Sequence, residues 1–281
     1  NPWAKDILLT NTHPLVVENE NNPLLLFIED RATEILRFTI LNSLIMCRLR
    51  MRAILYTTPS KINVIKDFLS DLLDWVDIIP IKNIDLEILT AQNTNNLMKE
   101  KSFWETIPAK KILLVQTDAL LIEPIDFSIF NYDYIGAPWE AGKRLSRPIH
   151  RYSGDLMSEY GAGWMTFKFC MRQETLEGKL PFGNGGLTVR DTSKMIEMCD
   201  LEPSTDNEPE DVYFGRLLRL TKAKLPSVRQ ARTFSCETEY FDSFGSHASH
   251  IWLKPEEQAR IYSRHFSHLA GLVIASYRSK L

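Results

Sequence analysis

Short apolar runs alternate with amphipathic stretches along the first half of the chain. Compact apolar runs of this kind are typical of buried strands, and they occur at 24–28, 53–56, 76–80 and 111–116. Between them, apolar residues recur every three or four positions, which predicts helices at 33–49, at 61–73 with Ser60 as the cap, and at about 95–106. This alternation predicts a mostly parallel sheet with helices on both faces.

The second half continues the alternation after a long irregular stretch. The turn Gly183-Asn184-Gly185-Gly186 leads into a strand at 187–190, Asp191 begins a helix that runs to about residue 199, and Glu210 opens another helix. We therefore expect an irregular segment at 1–23, one α/β domain at 24–254 with a glycine-rich loop insert at about 140–180, and a helical segment at 255–281.

Composition narrows the classes of partner. The 281 residues are 44% apolar and 25% charged, with a net charge of −3, so the chain has no basic field for nucleic acid. No apolar run approaches the roughly 20 residues of a membrane span. The four cysteines form no C-x-x-C pair and N-x-S/T acceptors are absent, which favours a cytoplasmic protein. The possibility of a signal or membrane anchor upstream of this sequence stays open.

Candidate chemistry begins at Asp118, which follows the clearest buried strand. Ligands of parallel sheets bind outside the carboxyl ends of the strands, so Gln116-Thr117-Asp118 lies where a site is expected. The glycine turn at 183–186 matches neither a Walker loop nor a dinucleotide fingerprint. The motifs H-E-x-x-H and G-x-S-x-G are absent, so zinc proteolysis and serine hydrolysis have no sequence support.

Five ordered segments carry a resemblance to a known family. They are Val115-Gln116-Thr117-Asp118-Ala119-Leu120, Tyr132-Asp133-Tyr134-Ile135-Gly136-Ala137-Pro138-Trp139, Gly183-Asn184-Gly185-Gly186-Leu187, Glu210-Asp211-Val212-Tyr213-Phe214 and Phe234-Ser235-Cys236-Glu237. Together they look like the signatures of the DUF5672 family. Their order also resembles that of the GT-A glycosyltransferases, which use nucleotide sugars: an aspartate motif, a glycine loop, an acidic pair and a late histidine. The resemblance implies a GT-A-like, Rossmann-like single domain.

The same resemblance implies a divalent metal ion, Mn²⁺ or Mg²⁺, at Asp118. The GT-A motif is usually D-x-D, but here Gln116 stands in place of the first acid, so Gln116 and Thr117 are expected to contact the donor instead. Either ion suits a site of one or two carboxylates completed by phosphate oxygens and water. The open alternative for Asp118 is a strand-end residue that caps a turn.

The acidic pair and the late histidine complete the implied site. Asp211 is the candidate base and Glu210 is expected to orient the acceptor, although acids at a helix start are also favoured by the helix dipole alone. His247 and His250 both fit the metal histidine, since one keeps the distance from Gly245 and the other the proximity to Trp252.

The remaining candidates would contact the substrates. Glu29 and Arg31 follow the first strand and are expected to bind the nucleotide, with a salt bridge between them as the alternative. Trp139 is expected to stack on a sugar, or else to fill the core. The four residues Gly183, Asn184, Gly185 and Gly186 are expected beside the donor or acceptor sugar, with a purely structural turn as the alternative.

These expectations combine into one function. The sequence is interpreted as a metal-dependent glycosyltransferase that moves a sugar from a nucleotide-diphosphate donor to a hydroxyl of a glycan or other acceptor. Inversion is expected, and retention is the open alternative. Two alternatives stay open: a non-catalytic protein that binds carbohydrate or nucleotide on the same fold, and a nucleotidyltransferase.

Overall fold

A computed structural model describes residues 22–82, 88–138, 183–202, 208–218 and 221–278, without the side chains of residue 216 and residues 271–278. Most of the predicted irregular segment at 1–23, the predicted insert at 140–180 and Trp139 lie outside these residues. The strands are β1 (Leu24–Ile28), β2 (Ala53–Thr57), β3 (Val76–Pro80), β4 (Lys111–Val115), β5 (Ala119–Leu121), β6 (Tyr134–Ile135), β7 (Leu187–Asp191), β8 (Ser235–Cys236) and β9 (Gly245–His247).

The helices lie between and after these strands. They are α1 (Glu34–Met46), α2 (Ile62–Phe68), α3 (Ala91–Met98), α4 (Lys101–Trp104), α5 (Thr192–Leu201), α6 (Glu210–Leu217), α7 (Val228–Phe234), α8 (Ser249–Trp252) and α9 (Pro255–Arg278). Short 3₁₀ turns occur at Pro59–Lys61, Ser70–Leu72 and Phe127–Asn131.

The central sheet has six strands in the order β3-β2-β1-β4-β7-β6. Strands β3, β2, β1 and β4 are parallel, whereas β7 runs antiparallel to both of its neighbours, β4 and β6. The predicted α/β fold with a mostly parallel sheet is therefore confirmed. The reversal at β7 brings the turn before β7 to the same edge as the carboxyl end of β4.

Side chains from alternate positions of the strands enter two cores, one on each face of the sheet. Leu25 and Phe27 of β1 pack in the core formed with α1, α2 and α7, while Leu26 packs in the core formed with α3 to α6. The predicted helical layers on both faces are thus present. A strand buried on both faces favours apolar residues at successive positions, which is why β1 is a continuous apolar run and β2 and β4 contain such runs at 53–56 and 112–115.

Three predicted helix boundaries are wrong. The helix predicted at 33–49 is α1, which starts at Glu34, with Thr33 as its cap, and ends at Met46 because Arg48 and Leu49 adopt positive φ angles of 53° and 54°. The helix predicted at 61–73 is confined to α2, since Pro59 begins a separate 3₁₀ turn and Ser60 caps nothing. The helix predicted at 95–106 is two helices, α3 capped by Thr90, and α4 after an extended Glu100.

A second sheet of three strands, in the order β5-β9-β8, lies beside the first. Strand β9 is antiparallel to β5 and parallel to β8. Helix α1 supports this small sheet, because the Asn42 side chain donates a hydrogen bond to the Leu121 carbonyl at 3.0 Å.

Helix α9 forms most of the predicted C-terminal helical segment and packs against α1. Within the described part of the chain, no helix combines the length and the apolar character that crossing a membrane requires. The side chains of Ile261 and His265 are buried, and His265 Nε2 lies 2.7 Å from Asn42 Oδ1. Burial, followed by the nearby His268, lowers the pKa of His265 to about 4.

The low pKa of His265 predicts a loss of stability in acid. The unfolded chain binds a proton at this residue below about pH 6.5, whereas the folded protein does so only near pH 4. The contribution of neutral His265 to the free energy of unfolding is therefore complete above pH 6.5. It decreases as the pH falls towards 4, by up to about 2 kcal/mol. Urea unfolding at pH 7 and pH 4.5 should show this loss, and His265→Gln should reduce it. An equal pH dependence in both proteins would contradict the assignment.

Candidate functional site

The candidate site lies at the edge of the central sheet where β1 and β4 end. Strand β1 is flanked by β2 on one side and β4 on the other, so the chain order reverses between β1 and β4. In open α/β sheets, ligands bind in the crevice at such a reversal, outside the carboxyl ends of the strands. Glu29 to Arg31 follow β1 and Gln116 to Asp118 follow β4, as the sequence predicts.

The small sheet brings distant residues to this edge. His247, the last residue of β9, pairs with Ala119, so it lies beside Asp118. Ser246 pairs with Cys236, so Glu237, immediately after β8, lies beside His247 on its other side. The backbone then turns at Ala248, whose φ is 47°, and the Ala248 N–H donates to the Asp118 carbonyl at 3.0 Å. Strand pairing thus aligns an aspartate, a histidine and a glutamate.

The three side chains form a line from solvent to core. His247 Nδ1 lies 3.1 Å from Glu237 Oε1, and His247 Nε2 lies 3.2 Å from Asp118 Oδ1. The exposed fractions of the side chains are 37% for Asp118, 10% for His247 and 0% for Glu237. Asp118 is therefore accessible to a ligand, whereas Glu237 is buried and contacts His247.

Neighbouring charges and burial shift the pKa values of His247 and Asp118 in opposite directions. Burial alone lowers the pKa of His247, but the carboxylates of Asp118 and Glu237 outweigh it and raise the pKa to about 9. Burial raises the pKa of Asp118, yet His247 outweighs that effect and holds the pKa below its ordinary value. The two neighbouring carboxylates therefore favour the protonated form of the His247 imidazole.

The predicted glycine turn lies against the same residues. A Cβ atom on Gly186 would come within 2.1 Å of His247 Nε2 and 2.6 Å of Gln116 Oε1. A Cβ atom on Gly185 would come within 1.8 Å of Glu210 Oε1. Because only hydrogen fits at both positions, the turn can pack directly between His247 and the start of α6. Tyr134 holds the turn in place, since its hydroxyl donates to the Gly183 and Asn184 carbonyls.

Glu210 forms a buried ion pair with Arg190 of β7. The two guanidinium nitrogens lie 2.9 Å from the two carboxylate oxygens, and Arg190 Nη2 also donates to the Gly185 carbonyl at 3.1 Å. The rings of Trp104, Tyr134 and Phe214 surround the guanidinium, with centroids at 5.3 to 5.7 Å. These contacts hold α6 against the glycine turn. They also occupy the Glu210 carboxylate, which was expected to orient an acceptor.

Asp211, the candidate base, is half-buried in the first turn of α6. The adjacent residue, Glu210, positions it, because the Arg190–Glu210 ion pair fixes the start of this helix beside Gly185. Asp211 is close enough to Arg190 for its charge to contribute to the raised pKa of that residue. The roles of Glu210 and Asp211 in catalysis remain predictions.

At the end of β1, the structure contains the salt bridge that was the alternative to nucleotide contact. Arg31 Nε and Nη2 donate to the Glu29 carboxylate at 2.8 and 2.7 Å, and the backbone N–H groups of Asp30 and Arg31 donate to it as well. Burial raises the pKa of Glu29, but the bonds and charge of Arg31 outweigh it and lower the pKa overall. The exposed Arg31 side chain stays a candidate for nucleotide contact.

Other predicted residues are less closely associated. His250 lies in α8 and is exposed, and its charge helps to lower the pKa of Asp118. Thr117 is half-buried beside Asp118. Trp139 lies outside the described residues. Of the two candidate metal histidines, His247 is therefore the one whose side chain contacts Asp118.

Two residues of this region were not among the predicted site residues. Glu237 appears in a segment that carries the family resemblance, but nothing in the sequence indicates its contact with His247. Arg190 is visible only as a charged residue in an otherwise apolar strand, which indicates that it needs a buried partner but not that this partner is Glu210.

The donor set at Asp118 and His247 fits a divalent metal ion. Two ligand atoms on one ion are roughly 3 Å apart, since each bond is about 2.1 Å long, and the observed spacing is 3.2 Å. His247 Nε2 is buried and has no aligned hydrogen bond in the described part of the chain. No group of three His, Cys, Asp or Glu residues converges among the described residues, so water and ligand oxygens would have to complete the coordination.

The fold and the site define an α/β protein with a polar site at the reversal point of a mostly parallel sheet. The family described as "Protein of unknown function (DUF5672)" matches residues 79–250, and the chain belongs to this family. The matched region includes Asp118, the glycine turn, Glu210, Asp211, Glu237 and His247. No curated protein matches the chain.

Proposed function

We propose that this protein is a metal-dependent glycosyltransferase of GT-A type. It would transfer a sugar from a nucleoside diphosphate donor to a hydroxyl of a glycan or another acceptor. The observation that carries the proposal is the pair Asp118 and His247 at the carboxyl edge of β4, next to Gly185 and Gly186, where a Cβ atom would clash with neighbouring side chains. Because these two residues carry no Cβ atoms, the backbone of the turn packs directly against His247, beside the place proposed for the diphosphate.

In this proposal, Asp118 and His247 hold Mn²⁺ or Mg²⁺ together with the diphosphate. The bound ion would neutralise the charge that develops on the leaving diphosphate. Exposed Asp118 would bind the ion from the solvent side, and buried His247 would bind it from the protein side. Gln116 Oε1, close to Gly186, and the Arg31 guanidinium would contact the donor.

Asp211 would remove the proton of the acceptor hydroxyl. The start of α6 lies on the other side of the glycine turn from His247, because Glu210 packs against Gly185 and His247 packs against Gly186. Attack by the activated hydroxyl on the face of the sugar opposite the leaving diphosphate would give inversion at the anomeric carbon. We further propose a cytoplasmic location, since the three described cysteines form no disulfide with one another.

A binding protein without catalysis is the second candidate function. The observation that favours it is Gln116, a neutral residue where a first acid is usual in the resembling enzymes. Such a protein would bind nucleotide and glycan and would consume no donor.

Release of nucleoside diphosphate from a panel of nucleotide sugars, in the presence of Mn²⁺ and glycan acceptors, tests the proposal. A transferase consumes at least one donor, and EDTA stops the reaction. Binding of nucleotide with no donor consumed by the unmodified protein would instead support the binding protein.

Asp118→Asn should weaken metal-dependent nucleotide binding about tenfold or more. The amide keeps the size of the side chain but removes the charge that the ion needs. Calorimetry with Mn²⁺ and with EDTA measures the effect. Asp126→Asn, at the exposed start of a 3₁₀ turn, is the control and should change nothing. Equal nucleotide affinity of the unmodified protein in Mn²⁺ and in EDTA would contradict the metal role.

A further inference from the structure

Glu237 is a carboxylate that folding has removed from solvent completely. Its side chain has an exposed fraction of 0%, and its Oε1 atom lies 3.1 Å from His247 Nδ1. Burial of a carboxylate is costly, so a residue of this kind needs a specific partner in the folded protein. Glu237 is held in place by the pairing of β8 with β9.

The contact with Glu237 determines how the imidazole is used. In the neutral imidazole that donates its Nδ1–H to the Glu237 carboxylate, the Nε2 lone pair is left for another partner. That atom is buried, faces Asp118 Oδ1 at 3.2 Å and has no aligned hydrogen bond within the described ranges. Glycine at position 186 lets the turn pack directly against the imidazole, because a Cβ atom there would lie 2.1 Å from Nε2.

We propose that Glu237 is a positioning residue that directs His247 Nε2 towards the ion and makes the site select Mn²⁺ over Mg²⁺. The inference rests on the metal site of the proposed function and deepens it, because it distinguishes between two ions that the donor set alone leaves open. A histidine that binds a metal characteristically donates its other N–H to a carboxylate or carbonyl, and that partner raises the basicity of the ligand.

The preference for Mn²⁺ follows from the nitrogen ligand. Mg²⁺ requires a nearly ideal octahedron of oxygens and gives up its water reluctantly, so an imidazole gains it little. Mn²⁺ accepts carboxylate and water as Mg²⁺ does, but imidazole binds transition ions more readily than it binds Mg²⁺. A more basic imidazole, backed by Glu237, should therefore increase the affinity for Mn²⁺ much more than the affinity for Mg²⁺.

A purely structural role for Glu237 would give a different pattern. If the carboxylate only stabilised the small sheet, its loss would weaken all ligands alike through general damage. The ratio of the Mn²⁺ and Mg²⁺ affinities therefore separates positioning from structure.

Titration of the full chain with Mn²⁺ alone and with Mg²⁺ alone provides the test, with free Mn²⁺ followed by electron paramagnetic resonance. Glu237→Gln should weaken Mn²⁺ binding about tenfold to 100-fold and change Mg²⁺ binding less than about threefold. Glu123→Gln is the matched control, because Glu123 Oε2 lies 2.8 Å from His268 Nε2 in a second glutamate–histidine pair. This control should leave both affinities unchanged.

Measurements on the unmodified protein keep the test independent of whether the variant folds. Bound Mn²⁺ should show coupling to a ¹⁴N nucleus in pulsed electron paramagnetic resonance, and Mn²⁺ should bind more tightly than Mg²⁺. Absence of the ¹⁴N coupling, equal affinities for the two ions, or an equal loss of both in Glu237→Gln would overturn the inference. None of these measurements uses a sugar donor, so a failure of sugar transfer would leave their result intact.

Discussion

Replacement of Arg190 by methionine should lower the free energy of unfolding by about 3–5 kcal/mol, the usual effect of removing one partner from a buried ion pair. Arg190 has no exposed surface, and its guanidinium binds both oxygens of Glu210. Methionine is unbranched and replaces the aliphatic part of the arginine side chain, but it ends short of the guanidinium and of the rings around it. The loss is expected to combine this lost packing with a Glu210 carboxylate left in the core without its counter-charge.

The double variant Arg190→Met/Glu210→Gln separates charge from packing. Once the uncompensated carboxylate is also removed, at least half of the lost stability should return. Arg52→Met is the control, because the Arg52–Asp77 pair is largely exposed and should contribute less than about 1 kcal/mol. Urea unfolding measures these variants together with the single variant Glu210→Gln. If the losses from Arg190→Met and from Glu210→Gln simply add in the double variant, the buried pair is not the cause.

Asp211→Asn should lower the turnover of a nucleotide sugar by about 100-fold or more, which is the usual contribution of a positioned base. The substitution keeps the size of the side chain but removes its ability to accept a proton. Because the Arg190–Glu210 pair fixes the start of α6, the helix should keep its position in the variant. Donor affinity and metal affinity should therefore stay within a few-fold of those of the unmodified protein.

Steady-state release of nucleoside diphosphate, together with calorimetry of donor binding, tests this separation. Asp67→Asn, on the exposed surface of α2, is the control and should behave as the unmodified protein. Loss of turnover and donor binding in parallel would indicate that Asp211 supports the helix start. Unchanged turnover would remove Asp211 as the base.

The sheet could be predicted from the sequence because its signals are local. Strand β1 is a five-residue apolar run that the structure contains with the predicted bounds. The helix ends were harder to predict, since the positive φ angles at Arg48 and Leu49 and the break at Leu69 are backbone states of residues that commonly continue helices. The reversed direction of β7 has no local signal, because a buried strand is apolar in either direction.

The candidate site could be predicted only in part, for the same reason. Asp118 follows a recognisable strand, and the glycine turn is visible as a turn. The contact of Asp118 with His247 depends on the register of β5 with β9, and the contact of His247 with Glu237 depends on the register of β9 with β8. Such registers join residues that are distant along the chain, and a pattern of neighbouring residues does not encode them.

The small sheet also determines when the site can form during synthesis. Strands β1 to β4 all precede Asp118, so the ribosome has released most of the central sheet before β9 is translated. Asp118 therefore spends the translation of more than a hundred residues without its histidine. A nascent chain that stalled before Gly245 would already contain the four parallel strands, yet it would lack His247, the only histidine in contact with Asp118 among the described residues.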